Sequence, residues 1–273
     1  MKVVSFNING IRARPHQLQE VVARHDPDII GLQETKVADD QFPLEQIHSL
    51  GYDCAYHGQK GHYGVALLYK KPLLSSACGL PEGGEDAQRR LVHISLDTTK
   101  GPIHIYNGYF PQGENRSHQT KFASKSVFYA DLRSHLTNRH ATGDQVVVMG
   151  DMNVAPYDVD IGIGDENRKR WLREGKCCFL PEEREWLSAL NLSLGLEDTF
   201  HSQHVASGDY RYSWFDYRSK GFERDPRRGL RIDLILATEP LMDCLVDTGV
   251  DHDIRAMERP SDHCPVWASF DLT

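Results

Sequence analysis

The stretch QVVVMGDMNVAP, residues 145–156, sets a run of valines and a methionine directly before Asp151 and Asn153. A run this short and this β-branched favours a strand with buried faces over a helix. Asp151 and Asn153 are two residues apart, so their side chains share a face if the chain stays extended beyond the run. Strand ends in α/β proteins are where ligands bind. An apolar strand that delivers polar groups at its end is therefore the pattern to look for elsewhere in the chain.

It recurs from end to end. Apolar runs lie at 3–6, 29–32, 65–69, 103–106, 232–237 and 266–270. The first leads into Asn7 and Asn9, the second into Gln33 and Glu34, and the run at 103–106 into Asn107 and Tyr109. Asp233 interrupts 232–237, and Asp262-His263 immediately precedes the last run. Helical patterns lie between some of these runs. Pro15 opens one carrying Leu18, Val21 and Val22 on one side; Phe128, Leu132 and Leu136 recur at four-residue spacing. Pro181 and two acids open another, with Trp186, Leu187 and Leu190 inward and Gly195 near its end. Strands fall both in hairpins, as over 52–69, and between helical connections. The pattern predicts mixed sheets with outer helices in one α/β domain.

Composition bounds the reading. The 273 residues suit two small domains or one large one, and 40% hydrophobic with 26% charged residues is ordinary for a globular protein. No repeat or long Pro/Gly/Ser-rich linker divides the chain. The apolar run before Asn7 is too short for a secretory signal and no window reaches transmembrane length, so the expectation is a cytoplasmic protein with no membrane partner. The six cysteines contain no CxxC pair and are expected to be reduced and mostly buried. A net charge of −8 by itself speaks against nucleic acid. The bases are clustered, however: Arg168, Lys169, Arg170 and Arg173 in one segment, Arg224, Arg227, Arg228 and Arg231 in another. A charge run is also simply a solvated face, so local charge has to decide.

The polar groups at the run ends suit phosphoester chemistry. An Asp and an Asn aimed together hold and activate a water, and Glu34 offers hard oxygens for Mg2+ or Mn2+. A carboxylate inside an apolar run is expensive to bury without a partner, and His263 is the natural partner for Asp233. A carboxylate behind a histidine favours the imidazolium and orients it, and a cationic imidazole stabilises charge on a phosphoryl oxygen. Two nucleophile readings stay weaker. Ser261 has no GxSxG elbow, and the Ser-Asp-His context explains His263 better than a thiol role for Cys264. Each residue alone has a bland alternative, such as a turn-forming Asp or a core Trp.

Together the segments SFNINGIRAR, GLQETK, GHYGVALL, NGYFPQGE, MGDMNVAP, DIGIGDENRKRWLR, FLPEEREW, SWFDYRSKGF, RGLRIDLILA and SDHCPVWASF resemble the exonuclease III type of AP endonuclease, in order from residue 2 to about 270. The resemblance implies a four-layer α/β sandwich, two mixed sheets face to face with helices outside, as a single endonuclease/exonuclease/phosphatase domain over 1–273. It implies a DNA repair nuclease that cuts 5′ to abasic sites, works 3′→5′ on duplex ends and cleans blocked 3′ ends, using Mg2+ or Mn2+. By resemblance the metal set is Asn7, Glu34, Asp151, Asn153 and Asp262, and the catalytic set is Tyr109, Asp151, Asn153, Asp233, Asp262 and His263. Trp214, Leu230 and Ile232 would wall the pocket for the extruded sugar, with Leu230 standing where some relatives carry an aromatic. Gln112, Asn115, Arg168, Lys169 and Arg170 would contact DNA. The expected partner is duplex DNA with abasic sites or 3′ ends, bound by a monomer. Two alternatives stay open: a phosphoesterase of the same superfamily with a non-DNA substrate, and a non-catalytic DNA-binding scaffold.

Overall fold

Every apolar run becomes a strand in the computed structural model, which describes residues 1–81, 87–204, 208 and 210–273. Strands and helices are numbered along the chain. One six-stranded sheet has the order β11 (Leu245–Val250), β12 (Val266–Phe270), β1 (Lys2–Asn7), β2 (Ile29–Gln33), β4 (Val65–Tyr69), β3 (Asp53–His57). The other runs β5 (Leu73–Cys78), β6 (Leu91–Thr98), β7 (Gly101–Tyr109), β8 (Gln145–Asp151), β10 (Asp233–Thr238), β9 (Leu196–Asp198). Each sheet holds one parallel pair, β1 with β2 and β7 with β8; every other neighbour is antiparallel. Parallel neighbours need a crossover. Helix α1 (Pro15–His25) supplies the first and α3 (Lys121–Arg139) the second.

Side-chain alternation explains the runs. Val3, Ile29, Val147, Met149 and Ile235 point between the sheets. Their neighbours Val4 and Ile30 face Leu18, Val21, Ile47 and Ile254 on α1, α2 (Leu44–Ser49) and α8 (His252–Arg255). Val146, Val148, Leu234 and Leu236 face α3 and α5 (Pro181–Leu194) through Leu132, Leu136, Leu187 and Leu190. Central strands buried on both faces show no polar alternation. The result is the expected four-layer α/β sandwich of two mixed sheets with helices outside.

Four strands escaped the apolar signal. β5 and β11 are sheet edges, the first largely exposed and the second burying only Thr248 and Val250, β9 has three residues, and β6 carries buried His93 and Ser95 within its run. Edge strands need no continuous apolar face. All six cysteines are free, but only Cys177, Cys178 and Cys264 are buried; Cys54 and Cys244 are half-buried and Cys78 lies exposed on edge strand β5. The expectation of mostly buried thiols is corrected accordingly.

Polar groups clamp the sheets just beneath one end of the sandwich. Asn107 on β7 donates to the Leu32 and Ala66 carbonyls at 2.9 and 3.0 Å, on the opposite sheet. Its oxygen accepts Gln33 Nε2 at 2.5 Å, and Gln33 also reaches Ser5 at 3.0 Å. A Cβ at Gly31 would stand 2.7 Å from the Asn107 oxygen, so this approach requires glycine. Among the buried charges, Lys125 pairs with Glu183 at 2.5 Å, and Arg231 with Asp160 and Asp198, each at 2.7 Å. Arg231 is therefore structural and leaves the basic cluster read from the sequence.

A histidine group lies on β6, β7 and the end of α3. His93 stacks on Tyr106 at 4.2 Å, Ser95 Oγ bonds His104 Nδ1 at 2.8 Å, and the Tyr106 hydroxyl bonds His140 Nε2 at 2.8 Å. Burial, with His104 and His140 adding to it, pushes His93 down to about 3; burial lowers His104 and His140 as well. These rings stay neutral in the fold but protonate once unfolded. For His93 the contribution is complete above pH ~6.5 and is lost as pH falls toward 3, on the order of 1 kcal/mol per pH unit. The urea midpoint should drop between pH 7 and pH 5, and drop less in His93→Gln. A midpoint equally pH-dependent in both proteins would refute this account.

Candidate active site

Strand register brings the first two acids together. Asp151 ends β8, Asp233 begins β10, and the two are directly paired across the antiparallel ladder. Both are 1% exposed. Two carboxylates this close and this dry need a cation, and His263 supplies it. Its Nδ1 lies 2.9 Å from Asp233 Oδ2, while Nε2 faces Asp151 Oδ2 at 3.8 Å. Ser213 holds Asp233 from behind, donating to Oδ2 at 2.6 Å and accepting the Ile232 and Asp233 amides. Burial opposes charge on His263, but Asp233 and Asp151 outweigh it and push its pKa up to about 10. That makes the ring an imidazolium at neutral pH, with Nδ1 donating to Asp233 and Nε2 facing Asp151 beyond hydrogen-bond distance. Although Glu34, Asp151 and His263 offer atoms within 4.8 Å of one another, a protonated His263 is no ligand.

The opposite sheet contributes Asn7 from the end of β1 and Glu34 from just beyond β2. The Asn9 amide donates to Asn7 Oδ1 at 3.1 Å, which turns Asn7 Nδ2 toward Glu34 Oε1 and Asp151 Oδ2, both at 3.0 Å. Asn7 thus bridges the two acids as a donor. Lys36 sits 2.7 Å from Glu34 Oε2 and 2.5 Å from Asn9 Oδ1. Burial would raise Glu34, but Lys36, Asn7 and His263 hold it below the usual carboxylate range. Asp262 is likewise held low against burial by His263, Asn9 and Trp214; its oxygens accept Asn9 Nδ2 at 2.8 Å and Trp214 Nε1 at 3.1 Å. Both are ionised hard-oxygen donors.

Asp151 differs from these. Burial pushes it up to about 7, with Asp233 and Glu34 adding to this while His263 and Asn7 oppose it. A carboxylate poised near neutrality is suited to take a proton. Asn153 is locked in place: its backbone amide donates to Asp151 Oδ1 at 3.0 Å and Nδ2 to the Phe110 carbonyl at 3.0 Å. Tyr109 pairs with Asp151 in the parallel ladder, and Arg90 lies 4.8 Å from its ring. Burial, Glu34 and Asp151 hold its phenol protonated well above the ordinary value, so it is a donor. Asn9, Glu34, Lys36 and Asn153 all have positive φ, near +50° to +59°. Such backbone strain in non-glycine residues concentrates at functional sites.

These groups enclose a cavity of about 150 Å3 lined by Glu34, Tyr109, Gln112, Asp151, Asn153, Asp262 and His263, with Trp214, Leu230 and Ile232 as an apolar wall. Trp171, Cys177 and Cys178 also line it; sequence reasoning had not assigned them. Trp171 had a signal in its basic segment, and Asn9 in the Asn-x-Asn spacing, whereas nothing in the sequence pointed to Ser213. Asn115 does not reach the cavity, because its side chain bonds the Glu174 carbonyl at 2.6 Å and Ser117. Arg168 is paired with Asp158 at 2.6 Å and Lys169 projects into solvent beside Glu166. Ser261 is no nucleophile: fully buried, it donates to the Asn7 carbonyl at 2.6 Å and accepts the His263 amide.

Comparison with known proteins places the chain among relatives. A family model described as the Endonuclease/Exonuclease/phosphatase family matches residues 4–263. The chain is 56% identical over 270 residues to the exodeoxyribonuclease III of Haemophilus influenzae, covering 99% of this chain and 100% of that protein. Its structure resembles a 3′ phosphatase from Neisseria bound to product DNA hairpin, with TM-score 0.87, 34% identity and 99% of each chain covered. It also resembles an AP endonuclease from Archaeoglobus fulgidus, with TM-score 0.88, 32% identity and 100% of each chain covered.

If Asp233 sustains the imidazolium, Asp233→Asn should let His263 lose its proton at least ~1 pH unit lower, the scale of one neighbouring charge. Imidazole carbon chemical shifts followed by NMR titration would read this directly. An unchanged titration would mean that Asp151 alone holds the charge.

Proposed function

The chain belongs to the endonuclease/exonuclease/phosphatase family and is a DNA repair nuclease, and on that premise we propose that it hydrolyses duplex DNA 5′ to abasic sites and removes nucleotides and blocking groups from 3′ ends, with Mg2+ as its cation. The observation that carries this reading is the convergence of a neutral-range carboxylate, an imidazolium and an ionised metal-binding acid on one small cavity with an apolar wall.

The donor set fits a hard divalent ion. Glu34 is ionised, one of its oxygens already faces the Lys36 ammonium, and an Asp151 oxygen lies within 4.8 Å. Glu34 and Asp151 would hold the ion, with Asp262 on the leaving-group side. Bound there, a divalent cation supplies positive charge to the phosphoryl and departing 3′ oxygens. The chain's own groups do the rest. Asp151 takes the proton of the attacking water, oriented by the Asn7 amide and the Asn153 backbone. His263, with Asp233 behind it, and the Tyr109 phenol donate to phosphoryl oxygens as negative charge develops. Trp214, Leu230 and Ile232 receive the abasic sugar, which rotates out of the stack more readily than a nucleotide with a base. A paired base would have to leave its stack to enter so small a cavity. Gln112 and Arg170 remain as DNA contacts, the latter beside Trp171.

The same reading treats residues 1–273 as one catalytic domain acting as a soluble cytoplasmic monomer. Among the described residues no helix is long and apolar enough to cross a membrane.

A duplex carrying one abasic analogue should be incised 5′ to the lesion with Mg2+, and an undamaged blunt duplex shortened from its 3′ ends. EDTA should abolish both activities. Cleavage that persists in EDTA would remove the metal from this account. Asp151→Asn should lower turnover by roughly 10²–10⁴-fold, the usual scale of general base catalysis, with duplex affinity changed only a few-fold. Near-normal single-turnover rates would overturn its role.

A further inference from the structure

Trp171 and Trp214 have two sides. One faces the catalytic cavity, and the other walls a second pocket of about 130 Å3 into which Asn167, Arg170, Arg224 and Arg228 project. Arg170 and Asn167 come from α4 (Asp165–Glu174), the two other arginines from the loop that follows Trp214. Arg170 donates to Asn167 Oδ1 at 2.9 Å and Arg224 to the Ser219 carbonyl at 3.2 Å. Among the described residues, none of these three guanidiniums forms an ion pair with a carboxylate. The one acid lining the pocket, Asp216, accepts the Arg218 and Ser219 backbone amides instead.

Some arginines elsewhere have carboxylate partners, Arg116 with Glu182, Arg168 and Arg184 with Asp158, Arg231 with Asp160, and others do not; what sets this pocket apart is that three guanidiniums converge on it beside two indoles. Arg227, between the pocket arginines in sequence, turns aside over the Phe222 ring. Three like charges directed at one pocket repel until an anion joins them, and guanidinium forks match phosphate oxygens. Indole walls accept a neighbouring sugar or base without regard to sequence. We infer that the pocket is a phosphate subsite, separate from the catalytic cavity, that grips a backbone phosphate of the cleaved strand flanking the scissile one. The inference rests on the DNA reading above. Two indoles shared by the two cavities would then place the strand across both.

The test reads binding. A fluorescent duplex with one abasic analogue is titrated with protein in EDTA across a series of KCl concentrations. For Arg224→Gln with Arg228→Gln, the Kd should rise about tenfold near 0.15 M salt and the salt slope should fall by about one. The Arg224→Lys, Arg228→Lys pair should keep most of the slope. Unchanged affinity and slope in the Gln pair would overturn the subsite. Independently of any variant, a neutral methylphosphonate placed in turn at each linkage flanking the lesion should weaken wild-type binding at one position, and no effect at any position would also overturn it. Inorganic phosphate matched against KCl at equal ionic strength separates the sources. Competition in the wild type that the Gln pair lacks means that the pocket also takes the free ion, whereas none means strand phosphate alone, and either keeps the subsite. A wild-type protein that binds this duplex but never incises it counts against the functional reading and not against the pocket.

Discussion

Two carboxylates in register, Asp151 and Asp233, force a cation between them, and the site is organised around that requirement. Burying two like charges side by side on adjacent strands is unaffordable without compensation. His263 provides it from the loop before β12, a strand of the other sheet. The imidazolium is thus a tie between sheets as well as a charged wall of the candidate site. Removing one member of a buried charge set typically costs about 3–5 kcal/mol, because it leaves the others uncompensated. Ser213 and Ser261 belong to the same device, since each fixes one end of the pair by bonds to backbone.

The second constraint is how closely the sheets approach. Asn107 crosses the gap to two carbonyls of the other sheet, and glycine at 31 permits it. Just above this clamp the strand ends deliver Asn7, Glu34, Tyr109 and Asp151 to one level. A cavity of this size needs its groups held to fractions of an ångström. Rigid strands do this, and four positive-φ residues at the rim turn the chain back at once. The strain there is carried by a framework with many buried apolar contacts.

Electrostatics resolves the apparent conflict between an acidic protein and an anionic substrate. The net charge of −8 averages over groups that have opposite roles. Some acids are buried against Lys125, Arg231 and His263, and Glu34 and Asp262 stand at the cavity. Three guanidiniums without a carboxylate partner among the described residues instead line the pocket next to the candidate active-site cavity. A duplex meets the local field of that face, not the average.

The sequence alone determined the layers. Central strands buried on both faces must be apolar throughout, so the runs at 3–6, 29–32, 146–149 and 232–237 announced themselves, while edge strands β5 and β11 and the polar-spotted β6 did not. It also determined which residues stand at the strand ends, because a polar group directly after an apolar run has few other reasons to be there. Tertiary structure decided what those residues do. Asp151 and Glu34 are both acids after strands, and only burial and neighbours separate a carboxylate pushed up to about 7 from one held ionised. Asn7 bridges Glu34 and Asp151 through its amide nitrogen, a direction set by the Asn9 amide and not by the run before it. Arg231 and Arg228 lie in one basic segment, yet one is sealed between two aspartates and the other lines an open pocket. Charge state, donor direction and pairing depend on groups far away in the chain, and no local pattern encodes that proximity.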